Sequence, residues 1–283
     1  MITANVAAAR FLQAHELPTL YRVHEGPESE KLEQVREFLG QLGLSLGGGE
    51  EPDPKDYARV INEVYERADA HLIHTVLLRS LSRAVYAPEN VGHFGLALDA
   101  YAHFTSPIRR YPDLLVHRGI QHILDGGTVQ GFHYEHEDMV GLGEHCSMTE
   151  RRADDATRDV ADWLKCEYML EKVGMELDGL ITGVTSFGLF VELDGIFIDG
   201  LLHVTSLEND YYQFDPVAHE LRGERSGRVY RLGDPIRVQV ARVDLDERKI
   251  DFELAEAERG RRPQRRRRAP AKKKVAKKKA KQQ

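Results

Sequence analysis

The eighteen residues from Tyr101 to Arg118, YAHFTSPIRRYPDLLVHR, concentrate groups suited to holding a phosphodiester: three arginines, two histidines, two tyrosines and a phenylalanine. Ser106 and Pro107 suit the cap and first residue of a helix, which places Arg109, Arg110, Asp113 and His117 in its first turns. Pro112 offers a second reading, since it either kinks that helix or marks its true start. Backbone N–H groups at a helix start favour an anion, and paired guanidiniums add charge and two-donor geometry. The plain alternative is a capped helix with a solvated Arg pair. For Arg110 an ion pair with Asp113 or Asp99 competes on equal terms with a phosphate contact.

A second candidate is Leu189-Phe190-Val191-Glu192-Leu193. Alternation puts Leu189, Val191 and Leu193 on one face, which must be core, and turns Phe190 outward with Glu192. An outward Phe on a strand has a use in nucleic-acid binding, because every base has a π-face to stack on it. Gly188 permits a bulge that brings Phe187 to the same side. The alternative for a lone surface Phe is packing beneath a loop.

The elements that position these groups follow from hydrophobic period. Residues 1–173 read as mainly helical: Ala4–Leu12, Ser29–Leu44, Asp56–Arg67 and Ala70–Tyr86, a short strand at Gly92–Leu98, then the helix carrying the arginines, ending by Gly126-Gly127. A long helix, about Glu135–Val173, has Cys146, Ala153, Ala156, Val160 and Trp163 on its apolar side. Asp154, Asp155, Asp159 and Asp162 lie mostly opposite, as a solvated face. At Gly174 the period changes to two. Five short strands within 177–254 predict a small closed barrel of the OB type. The fold class is therefore α+β in three segments: 1–173, 174–257, and a disordered Lys/Arg-rich tail, 258–283.

Composition narrows the class. The chain has 283 residues and a net charge of −7. Of its 39 Lys and Arg, 14 lie between Arg259 and the end, where there are no acids; the first 258 residues carry the other 25 against 46 acids, a net of −21. An acidic body attracts nucleic acid poorly, so any such partner must be held in local basic sites or by the tail. The two cysteines, Cys146 and Cys166, form no CxxC, which fits a reduced cytoplasmic setting without structural zinc. Neither a membrane span nor a signal peptide is expected.

The arginine segment also resembles, nearly letter for letter, the signature of the RNase II/RNB family of exoribonucleases. The likeness extends to ANVAAARFL, LPTLYRVHE, LLRSLSRAVYAPENVGHFGLAL, HCSMTERRADDATRDVADWLKC and NDYYQFD, and is closer to the ribonuclease R branch. SFGLFVEL, DGLLHVTSL and RLGDPIRVQVARVDLDERKIDFEL resemble the S1 RNA-binding domain. The resemblance implies processive 3′-to-5′ hydrolysis of RNA to nucleoside 5′-monophosphates. It implies that Arg109 is the catalytic arginine, that Tyr101, His103, Thr105 and Arg110 handle the RNA backbone, and that Glu150 lies near the 3′-terminal ribose. Asn5 would follow a carboxylate-bearing motif. Phe187, Phe190 and His203 would form the S1 binding face, with Arg248 nearby. The family uses Mg2+ held by an aspartate cluster that does not occur in this sequence, so no metal ligand is assigned here. On this reading the chain is the C-terminal part of such an enzyme, inactive alone. The expected partners are single-stranded RNA 3′ ends and, through the tail, ribosomes or the trans-translation machinery, with no DNA. The alternative is a non-catalytic RNA-binding protein using the barrel and tail. A polynucleotide phosphorylase-like enzyme also carries an S1 domain, but SPIRRYPD argues against it.

Overall fold

A computed structural model describes residues 1–67, 69–207 and 210–255. The expected tail, 258–283, lies outside the described residues. Helix α1 (Ile2–Ala14) leads to strand β1 (Tyr21–Val23), then α2 (Ser29–Gln41), α3 (Pro54–Val64) and α4 (Ala70–Ser80). Strand β2 (Val85–Ala87) follows, then α5 (Tyr111–Leu124) and the long α6 (His136–Leu170). Caps explain several of these boundaries. Asp53 and Asp56 form a reciprocal capping box at α3 with Pro54 in its first turn, and Glu135 with Asp138 does the same at α6.

Sequence reading extends the fourth helix to Tyr86, whereas α4 ends at Ser80 and Val85–Ala87 pairs antiparallel with β1, Arg22 opposite Tyr86. Gly92–Leu98, expected as a strand, is instead a loop with one 3-10 turn at Phe94–Leu96. His24 organises it: its backbone bonds Gly92 O and Phe94 N–H, and its ring Nδ1 accepts from Gly95 N–H at 2.8 Å. The arginine helix starts at Tyr111, not Ser106, so Pro112 marks the start of the helix. Ser106–Arg110 is a turn before it, closed by Arg110 N–H to Ser106 O at 3.1 Å.

Helix α6 meets the strand pair through one face. Gly143 lies so close to β2 that a Cβ there would stand 2.7 Å from Tyr86 O. Ser147, one turn on, accepts the Tyr86 N–H at 2.9 Å. Beyond Glu150 the apolar side expected from sequence is not buried: Ala153, Ala156, Val160 and Trp163 are all exposed, and only Cys146 of that set is in the core. The opposite side is solvated as expected, with Arg158 on Asp155 at 3.6 Å and Lys165 on Asp162 at 3.3 Å.

Strands β3 (Glu176–Thr185), β4 (Gly188–Leu193), β5 (Asp199–His203), β9 (Pro235–Asp244) and β10 (Lys249–Leu254) close a barrel in the order β10-β5-β4-β3-β9. A parallel β10–β5 pair makes the seam. Gly200 admits the Phe252 ring there, which would lie 2.4 Å from any added Cβ. Leu189, Val191, Leu193, Leu202, Val238, Val240 and Phe252 fill the interior. Between β5 and β9 the chain adds a small antiparallel sheet absent from the sequence reading: β6 (Tyr212–Asp215), β7 (Glu220–Gly223) and β8 (Val229–Arg231). The core of α2–α4 is continuous with that of the barrel, while α1, β1, β2 and α5 enclose a separate one.

Candidate nucleic-acid interface

The loop Ala100–Arg110 is pinned at Tyr101, His103, Phe104, Ser106 and Arg110. The Tyr101 carbonyl accepts the Arg22 N–H at 2.8 Å, and the buried Tyr101 hydroxyl accepts from Asn5 Nδ2 at 2.9 Å. Asn5 Oδ1 takes the Phe104 N–H, and His117 from α5 stacks on the Phe104 ring while bonding its carbonyl at 2.9 Å. His103 Nδ1 shares a hydrogen bond with Tyr86 Oη at 2.8 Å. Asp113, 0% exposed, accepts the Ser106 N–H at 2.7 Å and Arg110 Nη2 at 2.8 Å through one oxygen. Its other oxygen and Arg110 Nε are buried without a hydrogen-bond partner. Between these anchors Thr105 is half-buried; the Arg109 backbone N–H bonds Ser106 O at 3.3 Å, while its exposed side chain makes no hydrogen bond or ion pair with any described residue. Of the loop's two guanidiniums, Arg110 makes the Asp113 pair and Arg109 is left unpaired among the described residues.

Charge in this cluster is tuned by burial. Burial, then the Arg110 and Arg22 guanidiniums, pushes His103 down from 6.5 to about 4. Burial pushes Tyr86 up to about 12. Both are uncharged at neutral pH, and the cluster's positive charge resides on arginine. Glu150, on α6 one turn past Ser147, receives Arg22 Nη1 at 2.6 Å, and the Arg22 guanidinium lies 4.6 Å over the Tyr86 ring. Sequence reasoning did not single out Arg22 or Tyr86 individually; both sit in short strands whose pairing only the fold reveals.

A second surface lies on the barrel. Phe187 and Phe190 are 46% and 37% exposed, their rings 6.1 Å apart and nearly perpendicular. His203 is exposed and stands across the ladder from Gly188, next to Phe187 in sequence. The strand alternation thus places Phe190 outward as expected, with Phe187 and His203 beside it. Arg248 does not stand free: at φ 52° in the turn before β10 it pairs with Asp159 of α6 at 2.8 Å. Among the described residues no group of three or more His, Cys, Asp or Glu could hold a metal ion.

Comparison with known proteins fits this geometry. The RNB domain family matches residues 1–126, and the S1 RNA binding domain family matches 171–255. Ribonuclease R of Escherichia coli (strain K12) is 55% identical over 267 residues, 92% of this chain and 33% of that protein. Among solved structures, the apo form of Mycoplasma genitalium RNase R superposes with a TM-score of 0.83 at 27% identity, covering 90% of this chain and 40% of that one. The same protein in complex with ribose methylated single-stranded RNA gives 0.80 with the same identity and coverage. An RNB region joined to an S1 barrel defines the class, a two-part RNB–S1 architecture. Within that class the chain belongs to the ribonuclease R family, and it spans about a third of the length of the curated relatives it matches.

Proposed function

We propose that the chain carries the phosphate-handling arginine and the S1 binding face of a processive 3′-to-5′ hydrolytic exoribonuclease of the RNase R type, which releases nucleoside 5′-monophosphates. The observation that carries this reading is Arg109, exposed and unpaired among described residues on a loop otherwise held by Asn5, Tyr86, Asp113 and His117. A rigid loop presenting a free two-donor cation costs little reorganisation when charge develops on a phosphate. Tyr101 and His103 shape the loop, and Thr105 and Glu150 lie where backbone and ribose hydroxyls are contacted. Phe187 and Phe190 stack successive bases upstream, with His203 beside them and Arg248 close by.

RNB enzymes use a divalent metal, which activates water and offsets phosphate charge. The described residues offer no donor set for it, so no step is assigned to such an ion here. The aspartates that hold Mg2+ are supplied from outside these residues, and the chain alone binds RNA far better than it cuts it. The domain limits are 1–173, 174–257 and 258–283. The setting is cytoplasmic. RNA 3′ ends are the substrate, with ribosomes or trans-translation components contacting the tail. The missing donor set favours a second reading, a non-catalytic RNA-binding protein. Incubating the chain with labelled single-stranded RNA and magnesium tests this. Tight binding with very slow mononucleotide release is expected; rapid release would overturn the incomplete-site reading, and failure to bind would overturn both.

A further inference from the structure

We infer that Arg22 is a positioning residue that fixes the Glu150 carboxylate for contact with a hydroxyl of the RNA's terminal ribose. The inference rests on the ribose role given above to Glu150, and extends it to a residue that has no such assignment. Three contacts hold the arginine. Its N–H bonds Tyr101 O at 2.8 Å, which ties β1 to the start of the arginine loop. Its guanidinium lies 4.6 Å over the ring of Tyr86, its cross-strand neighbour. Its Nη1 reaches Glu150 Oε2 at 2.6 Å, a charge-assisted hydrogen bond with the Arg22 side chain only 15% exposed.

Glu150 is brought there by helix geometry. Gly143, Ser147 and Glu150 follow at i, i+4 and i+7, so they share one face of α6. Gly143 and Ser147 dock on β2, and the next turn therefore presents Glu150 to the strand pair. One carboxylate oxygen is used by Arg22. The other accepts no hydrogen bond from the described residues, and the side chain keeps 33% of its surface exposed. A carboxylate held by one oxygen, with the second open to solvent, is arranged to accept a hydroxyl. A free Glu on an exposed helix would lose that orientation to rotamer freedom.

The test uses this chain and two RNA oligomers, identical except that one ends in an ordinary ribonucleotide and the other in a 2′,3′-dideoxynucleotide. The unaltered chain is expected to bind the ribose-ended oligomer about tenfold more tightly, the range of one hydrogen bond to a charged group. Arg22→Met should bring the ratio close to one, Arg22→Lys should restore part of it, and Glu150→Ala should abolish it. A merely structural Arg22 would weaken both RNAs equally and leave the ratio intact. If Glu150→Ala abolishes the preference and Arg22→Met retains it, the Arg22 inference is wrong and the ribose role of Glu150 stands. If the unaltered chain shows no preference, both fail.

Discussion

Arg109 and Arg110 differ by one position and by what holds them. Arg110 is tied to the fully buried Asp113, whereas the Arg109 side chain makes no hydrogen bond or ion pair with any described residue. That asymmetry yields two separable predictions. In a form of the enzyme that cleaves RNA, Arg109→Lys keeps one charge and loses the two-donor fork. Turnover should fall ~10²–10³-fold, the usual cost of one lost transition-state donor, while RNA affinity changes little. A kcat within a few-fold of the parent, measured at saturating RNA, would remove Arg109 from the chemistry. Asp113→Ala acts on folding instead. It strands the Arg110 charge, 19% exposed, and frees the Ser106 N–H. The expected loss is about 3 kcal/mol, the low end for breaking a buried pair because Arg110 retains some water. Urea unfolding measures it, and a shift under 1 kcal/mol would show that the pair is not part of what holds the loop.

At the scale of elements, legibility follows the strength of the periodic signal. Leu189, Val191 and Leu193 alternate cleanly, so the barrel, its core face and the outward Phe190 can all be read from the chain. The sheet β6–β8 cannot, because strands of three or four residues carry too little alternation to stand out. The same holds for β1 and β2, three residues each, and so for the Arg22–Tyr86–Glu150 cluster that depends on their pairing. Residues 151–161 of α6 mislead for a different reason: an apolar spacing exists there, but this stretch bridges between the strand-pair contact at Gly143–Ser147 and the core contact at Cys166 and Met169, and every one of its positions is exposed. At the arginine helix, Pro112 outweighs the Ser106-Pro107 cap signal because it suits the first turn and cannot sit deeper. The legible part is testable through Phe190→Ala. Its ring is 37% exposed and rests against Phe187. Single-strand affinity should drop by ~1–3 kcal/mol, the range for one stacked base, with the melting temperature nearly unchanged. A large thermal destabilisation would mean that Phe190 belongs to the core.

At the scale of the whole molecule, proton and salt linkage separate folding from binding. His93 and His103 both sit near 4 in the folded chain because of burial, followed by neighbouring positive groups, against 6.5 when unfolded. Between those values the unfolded state binds more protons, so stability should fall as pH drops from about 6.5 to about 4. Thermal melts in that window measure the loss, and His103→Gln should make it shallower; an identical slope in the variant would mean that His103 is solvated. Salt dependence reports on RNA instead. The body's net charge of −21 is opposed by 14 positive charges in residues 259–283. If that segment neutralises several phosphates, log K falls with log salt at ~−0.7 per phosphate on single strands. Deleting 259–283 should lower affinity and flatten that slope markedly. Phe190→Ala should lower affinity and leave the slope almost unchanged, since stacking releases few counterions. One salt titration per variant therefore divides RNA capture between the tail's charge and the barrel's aromatic face, and a slope unaltered by the deletion would assign the tail to a protein partner or to solubility alone.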